Sequence, residues 1–334
     1  MERETNIKSP FTGGKVKEVI TTEQKTFRGE KFDVNTRYYV CEDTDEQFTT
    51  TEQDTLTFND LYSQYRNRHG IPFADEIKDI RERFGLSLKQ ISIILGFGVN
   101  QYSSYEDGVM PSQSNGKAIA SLRHKDGVLN ALNACKHEFS QKEFDEIYTR
   151  ISSYDKREAR SMEMLRSRIF YSPRSIFNGF ATQSYEKVNN LTIWIVDFCK
   201  GCPMTKLNKL LYYIDSYAFR EIGQAISGLS YEAIQYGPVP YKWNKVYANL
   251  DGIEADLKVY SNGSEGIVYN TRQHANRSLF SDKEACCIDT VLQTFGKFNS
   301  KRIMNLSHGE DGWIKYSQEK SLIPFTEALT LKAL

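Results

Sequence analysis

The sequence predicts an α+β protein that is mainly helical, with a small β-ribbon, a helix-turn-helix domain and a mixed α/β domain that contains a short β-hairpin. Three observations lead to this class. Short β-type runs separated by turn residues occupy residues 15–48, apolar residues at helical spacing dominate from residue 72 onward, and β-rich runs return on either side of Asn262 and Gly263. At 334 residues the chain is long enough for two or three domains, since a domain typically spans roughly 100–200 residues.

These patterns divide the chain into four segments. They are a β-ribbon at residues 1–68, a helix-turn-helix domain at residues 69–137, a helical connector at residues 138–184 and a C-terminal domain at residues 185–334. The connector is charged, is helical in spacing and has neither Gly nor Pro before residue 173, so we expect one or two solvated helices there. A turn-rich stretch at residues 172–180 then marks a domain junction.

The composition excludes several classes of protein. Hydrophobic residues make up 40% of the chain and charged residues 26%, which is typical of a folded protein. Lys and Arg number 43, as do Asp and Glu, so any DNA contact must come from a local motif. No apolar run approaches the roughly 18–20 residues of a membrane span, and the N-terminus lacks the apolar stretch of a signal peptide. We therefore expect a cytoplasmic protein without membrane contact.

The N-terminal segment has the turn residues of a zinc ribbon without its ligands. The stretch SPFTGG matches a Cys-Pro-x-Cys-Gly knuckle, with the hydroxyls of Ser9 and Thr12 in place of two thiolates. The second knuckle runs from Cys41 to Thr44, so only Cys41 remains of four ligands. Structural zinc needs four thiolate or imidazole ligands, so we expect no metal here, unless the likeness to a ribbon is accidental. The residues expected to hold this segment by packing are Phe11, Val16, Phe32 and Tyr38.

Residues 72–108 contain three helical stretches. Apolar residues at helical spacing run from residue 72 to a glycine stop at residue 85. A second helix covers residues 88–95, with Ser87 as its cap and Gly96 as its end, and a third lies within residues 97–108. Two short helices joined by a tight glycine turn are typical of a helix-turn-helix, whose second helix lies in the major groove of DNA.

This string resembles the repressor-type (XRE) helix-turn-helix family. The match covers residues 86–96, continues through SSYEDG at residues 103–108 and ends at Pro111. The resemblance implies operator DNA as a partner, and amide side chains suit adenine. The residues expected to contact bases or phosphates are Asn100, Gln101, Ser103, Ser104 and Lys89. We expect Tyr102 in the core and Glu106 at the turn after the helix. The alternative is a retained scaffold that no longer binds DNA.

A homodimer is the expected DNA-binding form. Residues 74–137 hold eight Lys and Arg against seven Asp and Glu, so a monomer would bind phosphates weakly, whereas a dimer reads a palindrome. A ribbon directly before such a domain resembles MqsA-type antitoxins, which carry a YgiT-type zinc ribbon before a repressor-like domain. That resemblance implies base contacts by an Asn and by an Arg four residues later. Asn100 is present here, but Ser104 replaces the arginine, so we expect a different operator and affinity.

The C-terminal segment contains four sequence blocks. They are T-K-L-x-K-L-L-Y-Y-x-D from Thr205, Y-G-P-V-P from Tyr236, F-G-K from Phe295 and S-H-x-x-x-x-W from Ser307. The first block has its leucines on one helical stripe, so we expect this helix to be buried on one side. The second is expected to be a strand that runs into a proline-fixed turn at the start of a helix. In this order the blocks closely resemble the Panacea, or SocA-like, domain.

Panacea domains serve as antitoxins that neutralise different protein toxins. The resemblance implies a type II antitoxin that sequesters a toxin encoded by a neighbouring gene, while the helix-turn-helix represses the operon. Aromatic residues dominate interface energetics, and the residues expected to face the toxin are Tyr236, Pro238, Pro240, His308 and Trp313, with Lys206 and Lys209 as a second patch on a helix surface. Alternatively, the Tyr-Gly-Pro turn caps a helix and Trp313 packs in the core. The alternative function is a transcriptional regulator that senses a ligand or protein without a toxin partner.

The sequence gives no reason to expect catalysis or a cofactor. Asp215, His308 and Glu310 would suit a hydrolase, but no nucleophile lies in a recognisable elbow and no metal-ligand spacing occurs. The six cysteines are scattered through the chain, as expected of reduced thiols. Cys199 and Cys202 form a lone Cys-x-x-Cys motif, which fits a redox pair, half a zinc site or, most often, two ordinary buried thiols.

Overall fold

The computed structural model describes residues 2–154, 164–259, 263 and 265–334. Its contacts divide the chain into two compact units, one of Leu61–Ser161 and one that joins Met1–Asp60 to Met162–Leu334. Helix α1 (Thr51–His69) passes from one unit into the other. The predicted class, α+β and mainly helical, is confirmed. The division into four segments stays a prediction, and the connector residues 155–163 lie outside the described residues.

The N-terminal β-ribbon is a four-stranded antiparallel sheet in the order β1-β2-β3-β4. The strands are β1 (Glu2–Lys8), β2 (Lys15–Phe27), β3 (Glu30–Cys41) and β4 (Gln47–Phe48). Arg28 and Gly29 connect β2 to β3 with φ of 50° and 82°, the pair of positive values that a tight type I′ hairpin needs. This turn fixes the register of the long β2–β3 pair.

Two of the four packing residues expected in the ribbon are in its core. Val16 and Phe32 are buried, as predicted. The prediction that Tyr38 is a core residue is wrong, because side chains alternate along β3 and the neighbouring Tyr39 is the buried one. Phe11 is also wrong: it lies in the turn before β2, is 49% exposed and packs edge-on against Phe48 at 5.8 Å between ring centroids.

The ribbon is tied to the C-terminal part of its unit by charged groups. Arg3 on β1 donates to the Glu221 carboxylate at 2.6 and 3.2 Å and also pairs with Glu18 on β2. Glu18 is buried and accepts from the Gln53 amide at 3.4 Å. A buried carboxylate is stable only when such donors surround it, so these contacts fix the place where the sheet meets the rest of the unit.

The second unit is helical. Its helices are α2 (Ala74–Arg83), α3 (Leu88–Leu95), α4 (Gln101–Glu106), α5 (Gln113–Ser121), α6 (Lys125–Ala134) and α7 (Gln141–Ser153). The predicted helix at residues 88–95 is confirmed to the residue: Ser87 and Gln90 form a capping box, and Gly96 ends the helix with φ of 66°. The prediction of a solvated helix in the connector is wrong for α7, because this helix buries Phe144, Ile147 and Ile151 in the core of the unit.

The C-terminal part of the other unit surrounds one buried helix. Its helices are α8 (Tyr185–Cys199), α9 (Met204–Ile222), α10 (Trp243–Ala248), α11 (Asp282–Phe295), α12 (Ser300–His308) and α13 (Asp311–Tyr316). Helix α9 packs against α8, α11 and α12, and from Lys206 to Arg220 only Tyr217 is not buried. The expectation of one buried side is therefore wrong.

Two small antiparallel sheets complete this part. One has the order β10-β6-β7, with β6 (Tyr231–Ile234), β7 (Gly237–Pro240) and β10 (Leu322–Ile323). The other has the order β5-β9-β8, with β5 (Cys202–Pro203), β8 (Glu254–Val259) and β9 (Glu265–Asn270). Strands β8 and β9 form the predicted hairpin, although Asn262 and Ser264 of its turn lie outside the described residues.

The Tyr-Gly-Pro-Val-Pro block differs from its prediction. It forms a hairpin turn and the edge strand β7 instead of the turn into a helix, and α10 begins only after Lys242. Proline is compatible with an edge strand, where its missing N–H costs no ladder hydrogen bond. No helix in the described ranges is long and apolar enough to cross a membrane.

Candidate functional site

The candidate site is built where α9, the β6–β7 turn and α12 meet. Lys209 on α9 donates from Nζ to the carbonyl oxygen of Pro238 at 2.7 Å. Gly237 has φ of 90°, and a Cβ there would lie 2.5 Å from Ser307 Oγ and 2.7 Å from Lys209 Cε. Only glycine fits this turn, both for its conformation and for the space. Three of the four sequence blocks thus meet at one turn.

A stacked aromatic pair forms the second part of the site. The rings of His308 and Trp313 lie 4.0 Å apart between centroids at an interplanar angle of 17°. Trp313 donates from Nε1 to the carbonyl oxygen of Ile234 at 2.8 Å, which fixes the pair against the end of β6. Burial, and then the charge of Lys209, lower the pKa of His308. In the described part of the chain the buried Nε2 of His308 has no hydrogen-bond partner.

The outer surface of this region is apolar and basic. Tyr236 at the tip of the turn is 60% exposed, and Ile314 on α13 is 53% exposed. An open groove of about 440 Å³ runs along α12 and is lined by Asn299, Lys301, Arg302, Asn305 and Leu306. Exposed aromatic, aliphatic and basic side chains are suited to binding another protein.

The predicted toxin-facing residues separate into accessible and inaccessible ones. Tyr236 is exposed and His308 and Trp313 are half-buried, whereas Pro238 and Pro240 are buried in β7. Lys206 and Lys209 do not lie on a helix surface as expected: they are 7% and 0% exposed because other elements enclose α9 on all sides. Their aliphatic stems are covered and each ammonium donates to a backbone carbonyl.

Several residues of the surface were missed by the sequence analysis. They are Leu306, Ile314, Lys301 and Arg302. All four belong to short helices with mixed polar and apolar sequences, in which the exposed face is set by how the helix packs on β6 and β7. Their spacing alone gave no signal of a shared surface.

Because Lys209 is buried, the free energy of unfolding is expected to depend on pH. The pKa of Lys209 is lowered to about 7 by burial, whereas the pKa of a lysine in an unfolded chain is about 10.4. Between these values the unfolded chain binds more protons, so the free energy of unfolding rises with pH. From about pH 7 to pH 9 this lysine is expected to add about 2 kcal/mol, a gain that the Lys209→Met variant lacks. Denaturant unfolding of both proteins measures the difference, and parallel pH profiles would contradict the expectation.

The two buried carboxylates that suggested a hydrolase hold loops in place. Asp215 accepts from the backbone N–H groups of Ile226 and Ser227 at 2.9 and 2.8 Å, from Tyr231 Oη at 2.5 Å and from Ser227 Oγ. Burial raises its pKa.

Glu310 binds the C-terminal residues in the same way. It accepts from the backbone N–H groups of Lys332 and Ala333 at 2.8 and 3.1 Å and from Tyr213 Oη at 3.2 Å. Burial raises its pKa as well. Neither carboxylate shares a hydrogen bond with His308 among those described, so the expected hydrolase residues do not form one constellation.

The predicted DNA-contacting residues differ in how free their side chains are. Lys89 and Asn100 are exposed, and Ser103 is half-buried. Gln101 is engaged within the protein, since Oε1 accepts from the Gly98 N–H at 3.2 Å and Nε2 donates to Tyr105 at 2.8 Å. Ser104 donates from Oγ to the Asn100 carbonyl oxygen at 2.9 Å.

The two residues expected to have structural roles at this helix are placed accordingly. Tyr102 is buried and donates to the carbonyl oxygen of Ile77 at 2.8 Å. Glu106 accepts from Arg81 at 2.6 and 3.0 Å, which joins the end of α4 to α2. Both side chains are therefore occupied inside the unit.

The ribbon brings its four knuckle positions together. Thr12 Oγ1 lies 3.5 Å from Cys41 Sγ, and hydrogen bonds from Ser9, Thr44 and Thr12 lower the pKa of Cys41 to about 6. Among the described residues no group of three or more His, Cys, Asp or Glu side chains is placed to hold a metal ion.

One comparison with known proteins gave a match. Residues 207–314, about a third of the chain, match the family model described as antitoxin SocA-like, Panacea domain. Comparisons with curated proteins and with solved structures found no match. Residues 207–314 are therefore similar to the SocA-like Panacea domain. The matched range includes Lys209, the Tyr236 turn and the His308–Trp313 pair, so the candidate site lies inside it.

Proposed function

We propose that the protein is a type II antitoxin whose C-terminal domain binds and neutralises a toxin encoded by a neighbouring gene. The observation that carries the proposal is the match to an antitoxin domain family over the residues that build the candidate site. The binding surface consists of Tyr236, the accessible edges of His308 and Trp313, and the apolar and basic face of α12 and α13.

The geometry around Tyr236 supports this surface. The turn that carries Tyr236 packs on two side chains: Lys209 donates to the Pro238 carbonyl oxygen, and Ser307 lies against Gly237. A tyrosine on a fixed turn loses little conformational entropy on binding, and such residues frequently carry much of the affinity. Lys301 and Arg302 along the groove favour a partner with acidic groups at the facing positions.

Co-expression tests this proposal. The product of the adjacent gene is expected to stop growth when expressed alone and to be harmless when this chain is expressed with it. The Tyr236→Ala variant should rescue growth only in part, whereas Leu257→Ala, a substitution at a 68% exposed residue of the other sheet, should rescue fully. A neighbouring product that is harmless alone, or toxic with and without this chain, would refute the proposal.

We also propose that the helical unit binds operator DNA as a homodimer and represses the operon. Helices α3 and α4 are joined by a glycine turn, with Asn100 exposed at the start of α4 and Lys89 exposed on α3. An exposed amide at the start of a recognition helix can bind adenine, and a lysine can bind phosphate. Because the Gln101 amide is already bonded to Gly98 and Tyr105, Asn100 is the main base-reading candidate.

Band-shift measurements on the chain's own promoter test the DNA proposal. Asn100→Ala is expected to reduce the free energy of binding to the operator by about 1–3 kcal/mol and to relax the sequence preference. Lys89→Ala should weaken binding to all DNA sequences alike and reduce the slope of log affinity against log salt concentration by about 1. Lys78→Ala, at an exposed lysine on α2, is the control and should bind as the wild type does. Equal binding by the Asn100→Ala variant and the wild type would exclude Asn100 from base contact.

A further inference from the structure

Cys199 and Cys202 lie at a sharp reversal of the chain. Cys199 ends α8, Lys200 and Gly201 follow with φ of 51° and 100°, and Cys202 begins β5. A Cβ at Gly201 would lie 2.8 Å from Asn270 Oδ1, so the reversal is fixed by its packing on β9. The reversal places the two sulfurs near each other, so that each thiol shifts the pKa of the other.

A buried lysine lies at the same point. Lys206 donates from Nζ to the carbonyl oxygen of Gly296 at 2.5 Å, and Cys199 Sγ lies 3.8 Å from that oxygen. Lys206 is 7% exposed, and its ammonium also interacts with the Cys199 sulfur. A positive charge beside a thiol favours the thiolate, the nucleophilic form.

The two cysteines differ in exposure and in protonation. Cys199 is half-buried and Cys202 is 0% exposed. The neighbouring Cys202 thiol lowers the pKa of Cys199, and the charge of Lys206 acts in the same direction. Burial raises the pKa of Cys202. Cys199 is therefore the more accessible and the more readily deprotonated thiol and Cys202 is the buried one, the arrangement of an attacking and a resolving cysteine.

We propose that Cys199 and Cys202 are a thiol–disulfide exchange site that reacts with low-molecular-weight disulfides and closes to a reversible intramolecular disulfide. The Cys199 thiolate attacks one sulfur of the small disulfide, forms a mixed disulfide and releases one thiolate. The Cys202 sulfur then attacks Cys199, breaks the mixed bond and gives its proton to the second departing thiolate. The protein loses two hydrogens, and the small disulfide gains them as two thiols.

The site is distinct from the proposed toxin-binding surface, so its test needs no toxin. The full chain is incubated with oxidised glutathione and examined by intact mass spectrometry and peptide mapping. The wild type is expected to lose two hydrogens, to carry no glutathione on this pair and to yield a peptide linked between residues 199 and 202. Reduced dithiothreitol should restore the original mass.

Single substitutions distinguish the attacking cysteine from the resolving cysteine. Cys202→Ser should trap glutathione on Cys199, because no resolving thiol is present, and Cys199→Ser should leave Cys202 unmodified. Cys286→Ser, at an exposed cysteine elsewhere, is the control and should form the same internal disulfide as the wild type. Circular dichroism checks that each variant is folded. A wild type that keeps glutathione on Cys199 without closing, or that leaves Cys199 unmodified, would overturn the proposal.

Discussion

Replacing Asp215 by alanine is expected to lower the free energy of unfolding of the C-terminal part by about 4 kcal/mol, since each buried donor left without an acceptor costs about 1–3 kcal/mol. The carboxylate accepts from two backbone N–H groups of the loop after α9 and from the hydroxyls of Ser227 and Tyr231. Alanine leaves these donors unpaired and opens a cavity under the loop. Denaturant unfolding followed by circular dichroism measures the loss.

The control for this prediction is Asp215→Asn. Asparagine keeps one oxygen for the N–H groups of Ile226 and Ser227, and its amide can donate to hydroxyl oxygens, so we expect a loss of about 1 kcal/mol. The asparagine variant should also still neutralise the toxin, because Asp215 is 0% exposed. A folded asparagine variant that has lost neutralisation would contradict the structural role and reopen the hydrolase interpretation.

Restoring three thiols to the ribbon is expected to create a zinc site. The triple substitution Ser9→Cys, Thr12→Cys and Thr44→Cys places sulfur where three hydroxyls now surround Cys41. Four thiolates satisfy tetrahedral zinc, whose apparent binding free energy in small Cys-rich sites is about 10–16 kcal/mol. Elemental analysis should find one zinc per chain in the variant and no stoichiometric zinc in the wild type.

The same triple substitution combined with Cys41→Ser is the matched control. It has equally many new thiols but lacks the fourth ligand at the centre of the cluster, so zinc should be lost to a chelator far more readily. The wild type should keep its melting temperature in the chelator. A folded triple variant without zinc would show that these four positions do not have ribbon geometry, and zinc in the wild type would overturn the packing account of this segment.

Local signals in the sequence were sufficient for elements that begin and end on specific residues. Helix α3 was predicted to the residue because Ser87 and Gly96 satisfy its two ends through short-range hydrogen bonds. The β8–β9 hairpin was predicted for the same reason, since alternation and turn residues act over few positions. Such interactions do not depend on the rest of the fold.

Burial that depends on distant parts of the chain was not predictable. In the sequence Lys206 and Lys209 lie off the apolar stripe of their helix, which is typical of a solvated helix face. In the structure both ammonium groups reach carbonyl oxygens of residues far along the chain. The prediction that the Tyr-Gly-Pro block forms a turn before a helix is wrong for a similar reason. The block forms a strand, and this strand depends on its pairing with β6. In both cases contacts between residues that are distant in the sequence determine the structure.

The candidate site was predicted in part. Tyr236, His308 and Trp313 come from sequence blocks that the structure brings to neighbouring elements, whereas Pro238 and Pro240 support the turn from inside. The exposed residues of α12 and α13 became visible only when the packing of these helices was known. The toxin-facing role of all these residues stays a prediction.

A calorimetric titration of the purified full chain with the product of the adjacent gene tests the central claim most directly. We predict a saturable complex with the wild type, an affinity about 30-fold weaker with Tyr236→Ala, as expected for loss of about 2 kcal/mol at an interface tyrosine, and wild-type affinity with Leu257→Ala. The absence of a complex, or equal affinity of the folded Tyr236→Ala variant and the wild type, would contradict the account.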